Sequence, residues 1–239
     1  MINISKMSKY YGEYPAVIDV SFNISKGESI GLLGPNGAGK STTMKVMTGY
    51  TPPTSGNVNI GGYDIIKNSI DARKLIGYLP ENVPLYTDMT VKEYLSYMGS
   101  LRGMGKNILN RVDEVIDLTS LNQYKNVLIS KLSKGYRQRT GIAQAILHKP
   151  KILILDEPTI GIDPVQVVET RKLIQNLGEE HTLILSSHIL PEVTSLCNRV
   201  LVIHEGKIVA DDTPENLSNR LQTSNSVSYT HLRAHETVV

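Results

Sequence analysis

Cysteine is nearly missing from the chain: among 239 residues, Cys197 is the only one. A lone thiol excludes a disulfide framework and suits a reducing compartment. Cys197 itself reads as a small buried hydrophobe. An excess of either charge is lacking too. Lys and Arg total 25 against 23 Asp and Glu, a net charge of +2, so no strong field points to nucleic acid or to an acidic surface. Long apolar runs are also absent. ILIL at 152–155 and VLVI at 200–203 are typical of the longest, against the roughly 20 residues of a membrane-spanning helix. MINISKMSKYYG at the start carries no apolar signal-peptide core. Any membrane role is therefore expected to run through a partner. With 40% hydrophobic residues, the chain has the means to bury a core, as one large domain or a domain with a subdomain.

What is present centres on GPNGAGKST: Gly34, Pro35, Asn36, Gly37, Ala38, Gly39, Lys40, Ser41 and Thr42. This matches G-x-x-x-x-G-K-[ST]. ESIGLL (28–33) precedes it as a buried strand, and STTMKVMTG follows with helical spacing and Gly49 as C-cap. Strand, glycine-rich loop and helix are the context that a phosphate-binding P-loop requires. Glycines let backbone N–H groups curl around a phosphate, and the helix adds free donors and roughly half a positive charge. Lys40 is placed to reach the β- and γ-phosphates, and the Ser41 hydroxyl to hold Mg²⁺. The implied ligand is a nucleotide.

Taken in order, residues 1–33 read as short strands, INISKMS, AVIDVSFNIS and ESIGLL, with turns at Tyr11-Gly12 and Lys26-Gly27. Tyr11 has two readings: a ring over an adenine base beside the P-loop, or packing within the sheet. A turn-rich stretch holds the strand VNI, and RKLIGYLPE (73–81) reads as a strand ending at Pro80. From Thr90 to Leu147 the helical period takes over. Thr90-Val-Lys-Glu93 is a capping-box pattern, and further helices are expected at about 106–118 and 134–147. A helical insert between two strands marks a second lobe.

KILILDEP (151–158) then returns to a buried strand with Asp156 and Glu157 at its C-terminal end, the edge where ligands sit in open α/β sheets. Asp163-Pro164 opens a helix, HTLILSSH is a strand ending in His188, and RVLVIHEGKIVADD is a hairpin closed by Glu205-Gly206. Thr213-Pro214-Glu215 opens a last helix. From about residue 222, QTSNSVSYTHLRAHETVV loses all periodicity and resembles adapter read-through. A non-native or truncated end is the expectation, and His231 with His235 lacks a third metal ligand.

One more segment narrows the class. LSKGYRQR (132–139) resembles the signature LSGGQ and lies between the P-loop and ILILDEP. With the elements in this order, residues 1–221 resemble the ATP-binding-cassette ATPases, the nucleotide-binding subunits of ABC transporters. The resemblance implies an α/β P-loop fold: a mainly parallel sheet core, an N-terminal antiparallel β subdomain and a helical subdomain at about 82–148. It assigns Asp156 to Mg²⁺, Glu157 to the general base and His188 to the γ-phosphate. Ser133 and Gly135 open a helix expected to face ATP held by a second subunit, so hydrolysis would need a head-to-tail dimer around two ATPs. The basic cluster Lys131, Lys134, Arg137 and Arg139 has a nucleic-acid reading, but a solvated helix face fits its sparse aromatics and the near-zero net charge better. His148, His181 and His204 match nothing.

Three departures stand out. Glu81 occupies the place of the family's sensor Gln, keeping an acceptor for Mg²⁺ or water but losing the amide donors. Lys134 and Tyr136 replace Gly and Gln of the signature. Thr159-Ile-Gly161-Ile162-Asp163 replaces the usual Ser-x-Leu-Asp. LSKGYRQR with YLPE resembles the drug, antibiotic and gliding-motility exporters, whose permease is a separate chain. That implies an ATPase peripheral to the cytoplasmic face of the cell membrane, held there by the permease, with no nucleic-acid partner. The rival readings are a soluble ABC-type ATPase acting on nucleic acid or ribosomes, and a non-catalytic ATP sensor.

Overall fold

The computed structural model describes residues 1–219. The irregular tail from 222, His231 and His235 among it, and the last residues of the expected 1–221 domain lie outside the described residues.

Two sheets share the work of positioning the site. β1 (Ile2–Tyr11) and β2 (Tyr14–Ile24) form an antiparallel hairpin, and β4 (Ser55–Ile60) and β5 (Tyr63–Asp64) extend it in the order β2-β1-β4-β5. The second sheet begins with β3 (Ser29–Leu33), which leads through the P-loop into α1 (Lys40–Met47). β6 (Ile76–Leu79), β7 (Ile152–Asp156), β8 (Thr182–Ser187), β9 (Arg199–His204) and β10 (Lys207–Asp212) complete it in the order β10-β9-β3-β8-β7-β6. All neighbours there run parallel except the β9–β10 hairpin.

β7 shows why its sequence reads as an unbroken apolar run. Successive side chains point to opposite faces, and both faces are covered. Ile152 and Ile154 join the core shared with the antiparallel sheet and α1, whereas Leu153 and Leu155 join the core under the helices. The first core gathers Ile4, Val20 and Met44, and the second gathers Tyr94, Val112 and Ile142. Cys197 sits in the second core at 7% exposure, and burial pushes its thiol up to about 12.

The helical lobe lies between β6 and β7 in sequence: α3 (Val91–Leu101), α4 (Ile108–Leu118) and α5 (Lys134–Ile146), with short 3-10 turns between them. Thr90 forms the expected capping box, its N–H donating to Glu93 Oε2 at 2.8 Å and its Oγ1 accepting from the Glu93 N–H at 3.3 Å. After β7 come α6 (Pro164–Glu180), capped by Asp163, and α7 (Leu190–Leu196) after β8. Residues 214–219 are helical, as Thr213-Pro214-Glu215 suggested.

Two expectations are corrected. The strand read over 73–81 is only Ile76–Leu79, and its first residues close α2 (Ser69–Lys74). Asp71 in the first turn with Arg73 and Lys74 in the last suits the helix dipole, a signal hidden behind the apolar IGYL. The basic cluster is a solvated face at Lys131, Lys134 and Arg137, all exposed, but not at Arg139. Arg139 is 4% exposed and pairs with Glu169 of α6, while Arg137 donates to the carbonyls of Ile129 (3.2 Å) and Ser130 (2.8 Å).

Candidate active site

The P-loop is fixed by contacts that exclude side chains. At Gly39 the backbone has φ 108°, and a Cβ there would lie 2.6 Å from the Ala16 carbonyl oxygen. Only glycine takes that turn without cost. Gly34 is pinned differently, since its Cβ would meet the Ile203 carbonyl oxygen at 2.3 Å. The loop thus wedges between β2 and the β9–β10 hairpin, with α1 starting at Lys40.

Lys40 is buried and folds back over its own loop. Its Nζ donates to Gly34 O at 2.8 Å and Pro35 O at 3.2 Å, and lies 3.2 Å from Glu157 Oε1. The second oxygen of that carboxylate, Oε2, is 2.9 Å from His188 Nδ1. Glu157 therefore bridges a lysine and a histidine from two other segments. Its backbone has φ 47°, a left-handed conformation that a β-carbon disfavours and that tends to mark sites under functional constraint.

Asp156, the last residue of β7, is 1% exposed. It pairs in register with Ser186 on β8. The Ser186 hydroxyl donates to Asp156 Oδ1 at 2.6 Å and accepts the Glu157 N–H at 2.9 Å, so one serine aligns both carboxylates. Burial raises the Asp156 pKa, helped by the neighbouring Glu157 charge; hydrogen bonds from Ser186 and Ser41 and the Lys40 charge oppose it.

These parts meet at a cleft of about 380 Å³ lined by residues 36–42, Tyr11, Tyr14, Glu81 and Glu157. Its size falls within the range of ligand pockets. Gly34 and Pro35 lie behind the wall, lending carbonyls to Lys40. His188 lines an adjoining depression with Thr159, Ile160 and Glu157. Ser133 and Gly135 do not line the cleft. Ser133 caps α5 and accepts from Gln166 Nε2 at 3.4 Å, and the Gln166 side chain lies directly over Gly135.

Sequence reasoning missed Tyr14, Ser186 and Glu192. Tyr14 is the register partner of Tyr11 across the hairpin, so its signal was the two-residue turn Gly12-Glu13. Ser186 shows its role only once β7 and β8 are paired in register. Glu192, on α7, is bonded to Ser187, the residue before His188, at 2.7 Å.

Comparison with known proteins agrees with this geometry. A family profile described as ABC transporter matches residues 17–160. The chain is 39% identical over 225 residues to the linearmycin resistance ATP-binding protein LnrL of Bacillus subtilis (strain 168), covering 92% of this chain and 72% of that protein. It is 38% identical over 222 residues to the bacitracin transport ATP-binding protein BcrA of Bacillus licheniformis, with the same coverage of 92% and 72%. A solved ATP-binding subunit of an ABC transporter superposes with a TM-score of 0.82 at 27% identity, over 93% of each chain. A dimeric post-hydrolysis ATP-binding cassette bound to ADP and Pi shares the fold, with a TM-score of 0.81 at 23% identity over 90% of this chain and 99% of that one. By the profile match and by relatives well above 30% identity, the chain belongs to the ABC transporter family, as an ATP-binding cassette that hydrolyses ATP.

Proposed function

We propose that this chain is the motor subunit of an exporter. It binds ATP with Mg²⁺, closes head to tail on a second cassette, and drives a separate permease from the cytoplasmic face of the membrane. The observation that carries the reading is Glu157, held between Lys40 and His188 at the cleft of the P-loop. Among the described residues no helix is long and apolar enough to cross a membrane, which fits a permease on another chain.

The contacts suggest an order of events. Lys40 and His188 both contact the Glu157 carboxylate. A γ-phosphate entering the P-loop presents more negative charge than a carboxylate, so both side chains turn to it. Glu157 is then free to take a proton from the water that attacks the γ-phosphorus as the bond to ADP breaks. Catalysis of this kind is mostly positioning and charge stabilisation. Losing one charged contact in the transition state costs about 3 kcal/mol, roughly a hundredfold in rate.

The donors fit Mg²⁺, a hard cation that takes few protein oxygens: the Ser41 hydroxyl already reaches the Asp156 carboxylate, and Glu81 lines the same cleft. Bound by Ser41 and Asp156, the ion would neutralise charge on the β- and γ-phosphate oxygens. Glu81 would sense the site through an acceptor oxygen in place of the family's amide. Tyr11 stacks on the adenine, and residues 34–42 cradle the phosphates. Ser133 and Gly135, away from their own cleft, serve the ATP of the partner cassette. Export of a drug or antibiotic is supported by the names of LnrL and BcrA, with cargo chosen by the permease. The domain would comprise residues 1–221, with 82–148 carrying motion to the permease.

Glu157→Gln tests the assignment. ATP binding should persist while turnover falls at least about a hundredfold, and the variant should accumulate as an ATP-bound dimer in size-exclusion chromatography. Unchanged turnover would remove Glu157 as the base.

A further inference from the structure

Behind the reacting groups, Glu192 is a buried carboxylate, 6% exposed, with no part in the steps above. Its Oε1 accepts from Thr159 Oγ1 at 2.8 Å and from Arg171 Nη2 at 3.0 Å, and its Oε2 accepts from Ser187 Oγ at 2.7 Å. The same Ser187 hydroxyl accepts the Ile189 N–H at 3.0 Å. His188 thus sits between two residues fastened to one oxygen. Thr159 stands two residues after Glu157 and opens the loop that runs to Asp163, and Arg171 lies within α6. One side chain therefore ties together the loop after β7, the end of β8 and α6.

Burial alone would raise the Glu192 pKa, but the hydrogen bonds from Ser187, Arg171 and Thr159 outweigh it and hold the carboxyl below its usual range. An ionised carboxylate is an expensive strut, since well-packed apolar residues often stabilise a core as well or better. What charge-assisted bonds add is fixed geometry. The fixed geometry here concerns His188 on one side and the 159–163 loop on the other. Both border the depression that Gly161, Ile162, Val168 and Ile189 also line.

We propose that Glu192 is a positioning residue for His188, and that through Thr159 it couples the histidine to the 159–163 loop, so that the loop and the γ-phosphate contact move as one unit. The inference rests on the ATPase reading above and deepens it. If the loop shifts when a second cassette seats against it, His188 is re-aimed in the same event.

Removing Glu192 outright would leave the buried Thr159 and Ser187 hydroxyls and the half-buried Arg171 without their acceptor, so Thr159→Val is the cleaner break: it keeps the shape and deletes one donor. Single-turnover ATP hydrolysis and ATP affinity are measured on the full chain for the wild type, Thr159→Val, His188→Ala and the double variant. Thr159→Val should slow hydrolysis about tenfold, equivalent to about 1.4 kcal/mol, with ATP affinity within about twofold, which a loosened fold would not give. In the His188→Ala background it should add nothing. Glu192→Gln, which removes the charge at constant volume, should show the same dependence on His188. An unchanged rate in an active chain, or an equal loss with and without His188, would overturn the coupling and leave the ATPase reading standing. A wild-type chain that hydrolyses no ATP would instead remove the ATPase reading, and the coupling with it.

Discussion

Glu157, the proposed base, joins the P-loop lysine to the end of β8 through the two oxygens of one carboxylate. Its backbone there is left-handed, at φ 47°, and the carboxylate so placed makes both contacts. His148 donates from Nε2 to the Ile76 carbonyl, 3.0 Å away, and burial lowers its pKa from 6.5 to about 4, with the Arg102 charge in the same direction. The folded state therefore favours neutral His148. Its contribution is full above pH 6.5 and is lost as the pH falls toward 4, because the unfolded chain takes the proton first. His148→Phe should flatten the pH dependence of urea midpoints across that window; an unchanged slope would mean that His148 is not buried in its neutral form. At this scale the sequence revealed the residues that belong to contiguous motifs, Lys40, Asp156 and Glu157 above all. It hid Ser186 and Glu192, whose partners lie 30 and 33 residues away in Asp156 and Thr159 and come into reach only through strand register and helix docking.

Elements were legible where local chemistry and burial agree. The apolar run of β7, the Glu205-Gly206 hairpin and the Thr90 cap each declare themselves within ten residues or so. The Thr90 cap is open to a direct check: Thr90→Ala should lower unfolding free energy by about 1 kcal/mol, seen as a shift in denaturant midpoint at constant slope. No shift would mean that α3 holds its N-terminus by packing alone. Where local signals conflict, reading fails. Leu75 and Ile76 extend the apolar pattern back to the end of α2, so its last two residues read as strand. On α5, Arg139 looked like part of a wet face because its partner Glu169 lies on a helix beyond the next strand. Tyr136, in the place of the signature Gln, packs its ring 4.0 Å from that of Tyr124 and lies 5.5 Å from the Arg139 guanidinium. Of the two variant signature residues, Tyr136 is thus built into the helical lobe, whereas Lys134 is exposed.

For the whole molecule, the deciding feature is a separation. Residues 36–42 and Glu157 line one cleft, whereas Ser133 and Gly135, at the N-terminus of α5, lie outside it. The place of this helix end outside its own chain's cleft is accounted for by the proposal that it completes the ATP site of a second cassette. That is the central claim, and ATPase rate per chain against protein concentration tests it most directly, with Ser133→Arg measured alongside. Sites shared between two chains predict a rate per chain that climbs with concentration to a plateau, and its collapse in the Ser133→Arg variant while ATP binding persists. A rate independent of concentration and indifferent to Ser133 would contradict the account and leave a self-contained P-loop ATPase.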